Sequence, residues 1–311
     1  MKKPMVSLMV KARSRLPFKK SFIKCPILAL AALSFAACQS VDEPKVFDNE
    51  VRITTSVNNL VASRTAEAYS GSDLGLYMSP SAADSDYTYT NVKFVNNNST
   101  WSTADNSRLL WKDQTSSHTY SAYAPHVDNL TEDCLSYDLS SNNFDLLWAG
   151  GETSHSGTTN GALAITFNHM FCQFAVEVTI GTSVGINSIG TDDSITFTNE
   201  FGAGKFNVKS GEFSDQKSCT ITASKGKFTA ASGNNDAVYL TPGDYFAAGT
   251  QAVTVTFNLN EKKYTYNLSE RKFEAGMKYT LKLKLGSSTV QLQGVTVSAW
   301  TNNTAGDIST H

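Results

Sequence analysis

From residue 51 onward, apolar residues recur at every second position, and that period sets what the chain can build. Val51, Ile53, Thr55 and Val57 face one way, with Arg52, Thr54 and Ser56 opposite. Val253, Val255, Phe257 and Leu259 alternate with Thr254, Thr256 and Asn258. Tyr279, Leu281, Leu283 and Leu285 alternate with Lys278, Thr280, Lys282 and Lys284. Side chains of an extended strand point alternately to its two faces, so this pattern marks strands with one face buried. After residue 40 no apolar stripe of period 3.6 runs longer than two turns. The connections are rich in Asn, Ser, Asp and Gly, as at Asn96-Asn-Asn98, Ser140-Ser-Asn-Asn143, Gly150-Gly151 and Ser232-Gly-Asn-Asn235. Such segments punctuate sandwiches of short strands. The expected core includes Phe174, Val176, Val255, Phe257, Leu281 and Leu283.

Two breaks in the alternation are informative. Between Leu163 and Val178 the apolar set steps from Phe167 to Met170, an odd interval, so the buried face switches near Asn168–His169. A bulge or a strand passing between sheets has this effect. Between Thr289 and Trp300, Val290 and Leu292 give way to Val295 and Val297, with Gly294 at the step, as a bulge favours. The polar stretch Asn260-Glu-Lys-Lys263 reads as a hairpin turn.

With 311 residues and 41% apolar content, the chain has material for a sizeable core and for two domains. The turn-rich Gly181-Thr-Ser-Val-Gly185 places a boundary near 180–187, giving sandwiches over 51–182 and 183–311.

The net charge of −2 hides an asymmetry. Residues 1–37 hold eight of the 26 basic residues and no acid, leaving 18 basic against 28 acidic residues, a net of −10. An acidic body argues against nucleic acid as the partner, because phosphate contacts need clustered Lys and Arg. The basic leader precedes a thirteen-residue apolar stretch, Cys25 to Ala37, too short for a bilayer core that needs about 20 helical residues. A basic segment, a short apolar core and small residues read as a secretory signal over 1–37. Ala36-Ala37-Cys38 resembles the bacterial lipobox, with Phe35 where Leu is usual, and implies lipidation at Cys38. The leader is long, and Met5 and Met9 are alternative starts. Two acyl chains anchor a protein stably to a membrane. Residues 38–50 read as a linker. Its Asp42-Glu43 pair resembles the signal that sends lipoproteins of Bacteroidetes to the outer face of the outer membrane; a solvated linker is the other reading.

Beyond Cys25 and Cys38 only Cys134, Cys172 and Cys219 remain. Three cysteines without a CxxC pair make no disulfide framework, so buried free thiols are expected. No catalytic constellation holds: there is no GxSxG, HExxH or Walker loop, and the five histidines are scattered. The acidic pairs at 84/86, 132/133 and 192/193 lack the spacing of a calcium loop and read as solvated turns. No metal, cofactor or enzymatic activity is expected. Trp101, Trp111, Trp148 and Trp300 sit in apolar strand contexts, where core packing is the simpler role.

A set of segments carries a resemblance. They are Arg64-Thr65, Asp73-Leu-Gly-Leu-Tyr-Met78, Leu110-Trp111, Tyr120-Ser-Ala-Tyr-Ala-Pro125, Asp145-Leu-Leu-Trp-Ala149, Phe167-Asn-His-Met170, Tyr239-Leu-Thr-Pro242, Phe273-Glu-Ala-Gly-Met-Lys-Tyr-Thr280 and Val297-Ser-Ala-Trp300. In this order they resemble the fimbrillin family of Bacteroidetes, in its Mfa-like branch, over residues 50–300. The resemblance implies an all-β chain of two tandem transthyretin-like sandwiches and a surface pilus subunit. It also implies assembly in which a protease cuts after an arginine near the end of the first strand. The cut removes lipid and strand together, and a neighbour's strand fills the groove. Here the cut would fall at Arg64–Thr65 and release about Val51 to Leu60. The donor would be the 289–300 segment, through Val290, Leu292, Val295 and Val297, since the tail after Trp300 is short and polar.

Two functions follow. The first is a fimbrial subunit at the outer membrane surface, partnered by other subunits, with adhesion to a host or bacterial surface ligand. The second is a lipoprotein that binds glycans or another ligand without polymerising.

Overall fold

The structure, a computed structural model, describes residues 48–58, 66–154, 162–186, 188–233 and 235–300. Cys38, Arg64 and Thr65 lie outside them. Among the described residues there are strands and two short 3-10 turns and no α-helix, in line with the two-residue period.

Eight strands form one strongly curled sheet. Its order is β2 (Glu67–Ala68), β1 (Arg52–Val57), β9 (Ala162–His169), β8 (Leu147–Ser154), β6 (Ser117–Ala124), β3 (Asp73–Pro80), β4 (Tyr89–Asn97) and β5 (Thr100–Thr103). β9 joins its two neighbours at different ends: Ala162 to Phe167 pair with β1, and only Asn168 and His169 pair with β8. The curl brings the two ends of the sheet together, where the Trp101 indole donates to Thr55 Oγ1 at 3.1 Å. Inside lies a core of Val51, Ile53, Leu74, Leu76, Phe94, Trp111, Leu163, Ile165 and Phe167.

The rest of the described chain packs two sheets face to face. One runs β13 (Lys227–Thr229), β14 (Ala237–Leu240), β10 (Phe171–Ile180), β18 (Met277–Leu285) and β19 (Val290–Ala299), with β15 (Asp244–Ala247) also on β10. The other runs β12 (Glu212–Thr222), β11 (Ser194–Asn207), β16 (Gly249–Leu259) and β17 (Lys262–Phe273), with β7 (Cys134–Asp138) on β11. The expected core residues Phe174, Val176, Val255, Phe257, Leu281 and Leu283 are all buried between them. Phe174 packs on Phe197, Phe246 and Phe273 at centroid distances of 4.9, 5.1 and 6.0 Å. Each buried ring contributes roughly 1.5–3 kcal/mol by area, and each aromatic pair about 0.5–1.5 kcal/mol more.

The odd step at Asn168–His169 is where the chain passes from Leu163, Ile165 and Phe167 of β9 in the first core to Phe171, Cys172 and Phe174 of β10 in the second, with Met170 between. The second core also takes Tyr77, Tyr123, Leu135, Tyr137, Leu139 and Leu146 from earlier in the chain, so the two cores do not divide the sequence at one position. Strand β7, from the first half of the sequence, crosses to the second core through β11. The described residues belong to one compact unit. Trp148 of β8 helps to join the cores. Its indole donates to the Val208 carbonyl at 2.8 Å and lies over Gly211, where φ is +76° and a Cβ would come within 2.7 Å of the ring. Both the turn and the ring demand glycine there.

Local turns follow the sequence. Asn260 and Glu261 take φ of +48° and +62°, the mirror-image turn of a two-residue hairpin, between β16 and β17. Asp193 spans a turn, accepting from the backbone N–H of Gly190 and of Asn260. Cys134, Cys172 and Cys219 are free thiols; burial pushes the Cys172 thiol up and leaves it unreactive.

Candidate functional site

The site is the seat of the first strand. Alternation puts Val51, Ile53 and Val57 into the core, each buried, with Thr55 half-buried under Trp101. β1 lies parallel to β9 from Arg52↔Ala162 to Val57↔Phe167, and antiparallel to β2 at Ser56 and Val57. Beyond the ladder, Val51 N donates to the Leu109 carbonyl at 2.8 Å, Trp111 N to Asn49 at 2.7 Å and Asn58 N to Phe167 at 2.7 Å. Arg52 pairs with Asp48 at 2.6 Å, and Glu50 takes Arg108 at 3.4 Å. These pairs are exposed and add little. The seat rests on three buried aliphatic side chains, the ladder to β9 and the few backbone bonds to β2, Leu109 and Trp111.

β1 is thus an interior strand of its sheet. Without it, the polar edges of β9 and β2 lose their partners, and Leu163, Ile165, Phe167 and Phe94 lose their cover. Unpaired edge groups above an apolar floor form a template for another strand. The chain between β1 and β2 holds Arg64 and Thr65. A break there would part β1 from the body and leave β2 attached.

The second element is β19, at the edge of its sheet. It pairs with β18 from Met277↔Ala299 to Leu285↔Val290, with the expected irregularity at Gly294. There Leu292 faces Leu283 and Gly294 faces Lys282, so Gln293 is the extra residue of a bulge. The bulge resets the phase. Val290, Leu292, Val295 and Val297 oppose Leu285, Leu283, Leu281 and Tyr279, and all four donor candidates share the core-side face. They overhang the opposite sheet, however: Leu292 is 44% and Val297 46% exposed. The apolar face of β19 is half uncovered.

Just past β19, Trp300 is 4% exposed and stacks on His169 at 3.9 Å, with Tyr245 at 5.2 Å. His169 Nδ1 donates to Asp145 Oδ1 at 3.0 Å, and Trp300 N donates to the Gly276 carbonyl at 3.0 Å. Burial, helped by the Asp145 charge, pushes the Tyr245 phenol up to about 12. The end of β19 is therefore pinned where the chain passes between cores. The alternation shows the strands; it shows neither this stack nor the Trp101–Thr55 bond, because both join residues more than 40 positions apart.

Among the described residues there is no cluster of three metal-ligating side chains, and no helix is long and apolar enough to cross a membrane.

No curated protein matches the chain by sequence. Solved structures do match by fold. A protein from Bacteroides uniformis described as a candidate for cell adhesion superposes with a TM-score of 0.57 at 17% identity, covering 81% of this chain and 99% of its own. A counterpart from Bacteroides ovatus gives 0.58 at 13%, covering 81% and 98%. A candidate adhesin from Bacteroides thetaiotaomicron gives 0.52 at 8%, covering 83% and 98%. At these identities the likeness is one of fold. The sequence model of fimbrillin-like proteins matches residues 62–300, most of the chain, and the protein belongs to that fimbrillin-like family.

Proposed function

We propose that this chain is a structural subunit of a cell-surface fimbrium with a role in adhesion. It is held at the outer membrane by lipid on Cys38 until a cut at Arg64–Thr65 frees β1. The β19 segment of a neighbouring copy then occupies the vacated seat. The observation that carries this reading is β1 itself, an interior strand with three buried aliphatic side chains, joined to the body through the segment that holds Arg64. The half-uncovered apolar face of β19 supports its role as donor.

The test uses that exposure. Leu292→Asp with Val297→Asp alters exposed positions, where substitutions usually change stability by less than about 0.5 kcal/mol. In a neighbour's groove the same carboxylates would be buried and unpaired. Arginine-specific digestion of the native protein should yield SDS-resistant oligomer ladders, which the double variant loses while its monomer melts normally. Ladders from the double variant would remove β19 as donor; their absence from the digested native protein would remove strand exchange.

One observation favours a second reading, a subunit or glycan-binding lipoprotein that does not polymerise. β19 is paired with β18 along its whole length and pinned by Trp300. In that case the digested protein stays monomeric with β1 still bound.

A further inference from the structure

The outer face of the sheet that ends in β19 departs from the rest of the molecule in charge. On β18, Tyr279, Leu281 and Leu283 point into the core, so Lys278, Lys282 and Lys284 point out. Register carries that face across the sheet. Lys227 of β13 opposes Leu240 of β14, which opposes Glu177 of β10, then Lys282 of β18, then Gly294 of β19. Opposed residues share a face, so this is one outward row across five strands. The flanking rows bring small or uncharged residues on β10 and β19, with Ala175, Thr280 and Thr296 on one side. The floor is therefore low, and Lys225 and Lys278 rise at its margins. A trough of about 780 Å³ opens there.

The charges do not cancel. Glu177 pairs with Lys282 at 3.5 Å and Asp236 with Lys284 at 2.9 Å, while Lys278 donates to the Pro242 carbonyl at 2.8 Å. Among the described residues neither Lys225 nor Lys227 has a carboxylate partner. Five lysines against two acids leave the face positive, on a chain whose residues after 37 sum to −10. A cationic trough on an anionic body draws an extended polyanion to one place and repels it elsewhere. Leu240, 40% exposed, and Val238 supply an apolar strip beside the lysines.

We infer that this trough binds an acidic polysaccharide, its carboxylates or sulfates on Lys225, Lys227 and Lys282 and its C–H faces on Leu240. Nucleic acid fits less well, because no aromatic ring lines the trough, and Tyr245, on the same face beyond Lys278, is already packed against Trp300. A bilayer fits less well, because Leu240 and Val238 alone make too small an apolar face to bury in an interface. The inference is independent of strand exchange, since binding needs only the monomer.

The probe is a polygalacturonate oligosaccharide, with heparin as its sulfated counterpart, titrated onto the intact protein at low and at physiological salt. Binding should appear at low salt and weaken as salt screens the lysines. Lys225→Gln, Lys227→Gln and Lys282→Gln together should weaken it about tenfold or more, and the three Lys→Arg changes should preserve it. Lys262→Gln with Lys263→Gln, in the exposed β16–β17 hairpin, should leave it unchanged. Failure of the native protein to bind either glycan overturns the inference. So does an equal loss from the hairpin pair, or tighter binding of single-stranded DNA or of phosphatidylglycerol vesicles through the same lysines. Melting curves of all variants should coincide, and failure to polymerise would leave this result untouched.

Discussion

Ile53 measures how firmly the first strand is held. It is 6% exposed, faces Leu163 across the parallel ladder, and sits between Val51 and Val57. Ile53→Ala removes a nearly fully buried branch, and such truncations cost about 2–5 kcal/mol. Taking about 3 kcal/mol, and 1.4 kcal/mol for each factor of ten, the strand's hold weakens about a hundredfold. In the uncut chain the loss is masked, because the covalent link returns β1 to its seat and only the melting temperature falls. After an arginine-specific cut the whole effect moves into release. The assay is exchange of the retained peptide for a labelled synthetic peptide spanning 48–60, followed by intact mass. Ile53→Ala should exchange about a hundredfold faster than the native chain. Thr55→Ala, which loses the bond from Trp101, should exchange only a few times faster, since a neutral hydrogen bond is worth about 1 kcal/mol. Arg52→Ala, in an exposed ion-pair cluster, should be close to native. If the three variants exchange alike, side-chain burial does not hold β1 and the argument fails.

Cys38→Ser should move the protein out of the membrane fraction; retention there would refute lipid anchoring. Trp300→Ala removes the stack on His169, should cost about 3–5 kcal/mol, and should raise the yield of oligomers after digestion by freeing the end of β19; unchanged yield would show that the stack restrains nothing. His118 and His126 are held below the usual histidine pKa of 6.5, chiefly by burial. The unfolded chain therefore takes up protons first as pH falls. Their contribution is complete above about pH 6.5 and declines below it. The melting temperature should be lower at pH 5.5 than at 7.5, and His118→Gln should shrink the difference. Deleting Gln293 removes the bulge and leaves four apolar residues in unbroken alternation. If β19 is the donor, ladders should persist or increase.

The legible part of this fold was its period. Strand alternation alone identified the buried faces of β1, β10, β16 and β18, because a one-residue error would turn every apolar side chain outward. The odd intervals located the passage at Asn168–His169 and the bulge beside Gly294. What the sequence did not carry was pairing. Nothing near Val51 shows that its neighbour in space is Leu163, and nothing near Cys134 shows that β7 joins β11 across some 70 residues. Turn density pointed to 181–185, yet the chain already enters the second core at Leu135 and does so again at Phe171, since a strand can cross between sheets without a loop. The alternate lysines of β18 were visible, but their alignment with Lys227 through β14 and β10 exists only once register is known. Cys38, Arg64 and Thr65 still rest on sequence.

The parallel pairing of β1 and β9 has a mechanical side. When two parallel strands are pulled apart by a tether on the N-terminal side of one and the body beyond the C-terminal end of the other, the force runs along the strands. The slanted bonds from Arg52 to Val57 then resist together, in shear. An antiparallel hairpin pulled from its open end would peel one bond at a time. A load applied through the chain ahead of Asp48 would thus be met by the whole first strand at once. A strand of a neighbour seated in the same direction would inherit that grip, and a filament built of such joints would resist tension along its length better than a sideways pull at its seams.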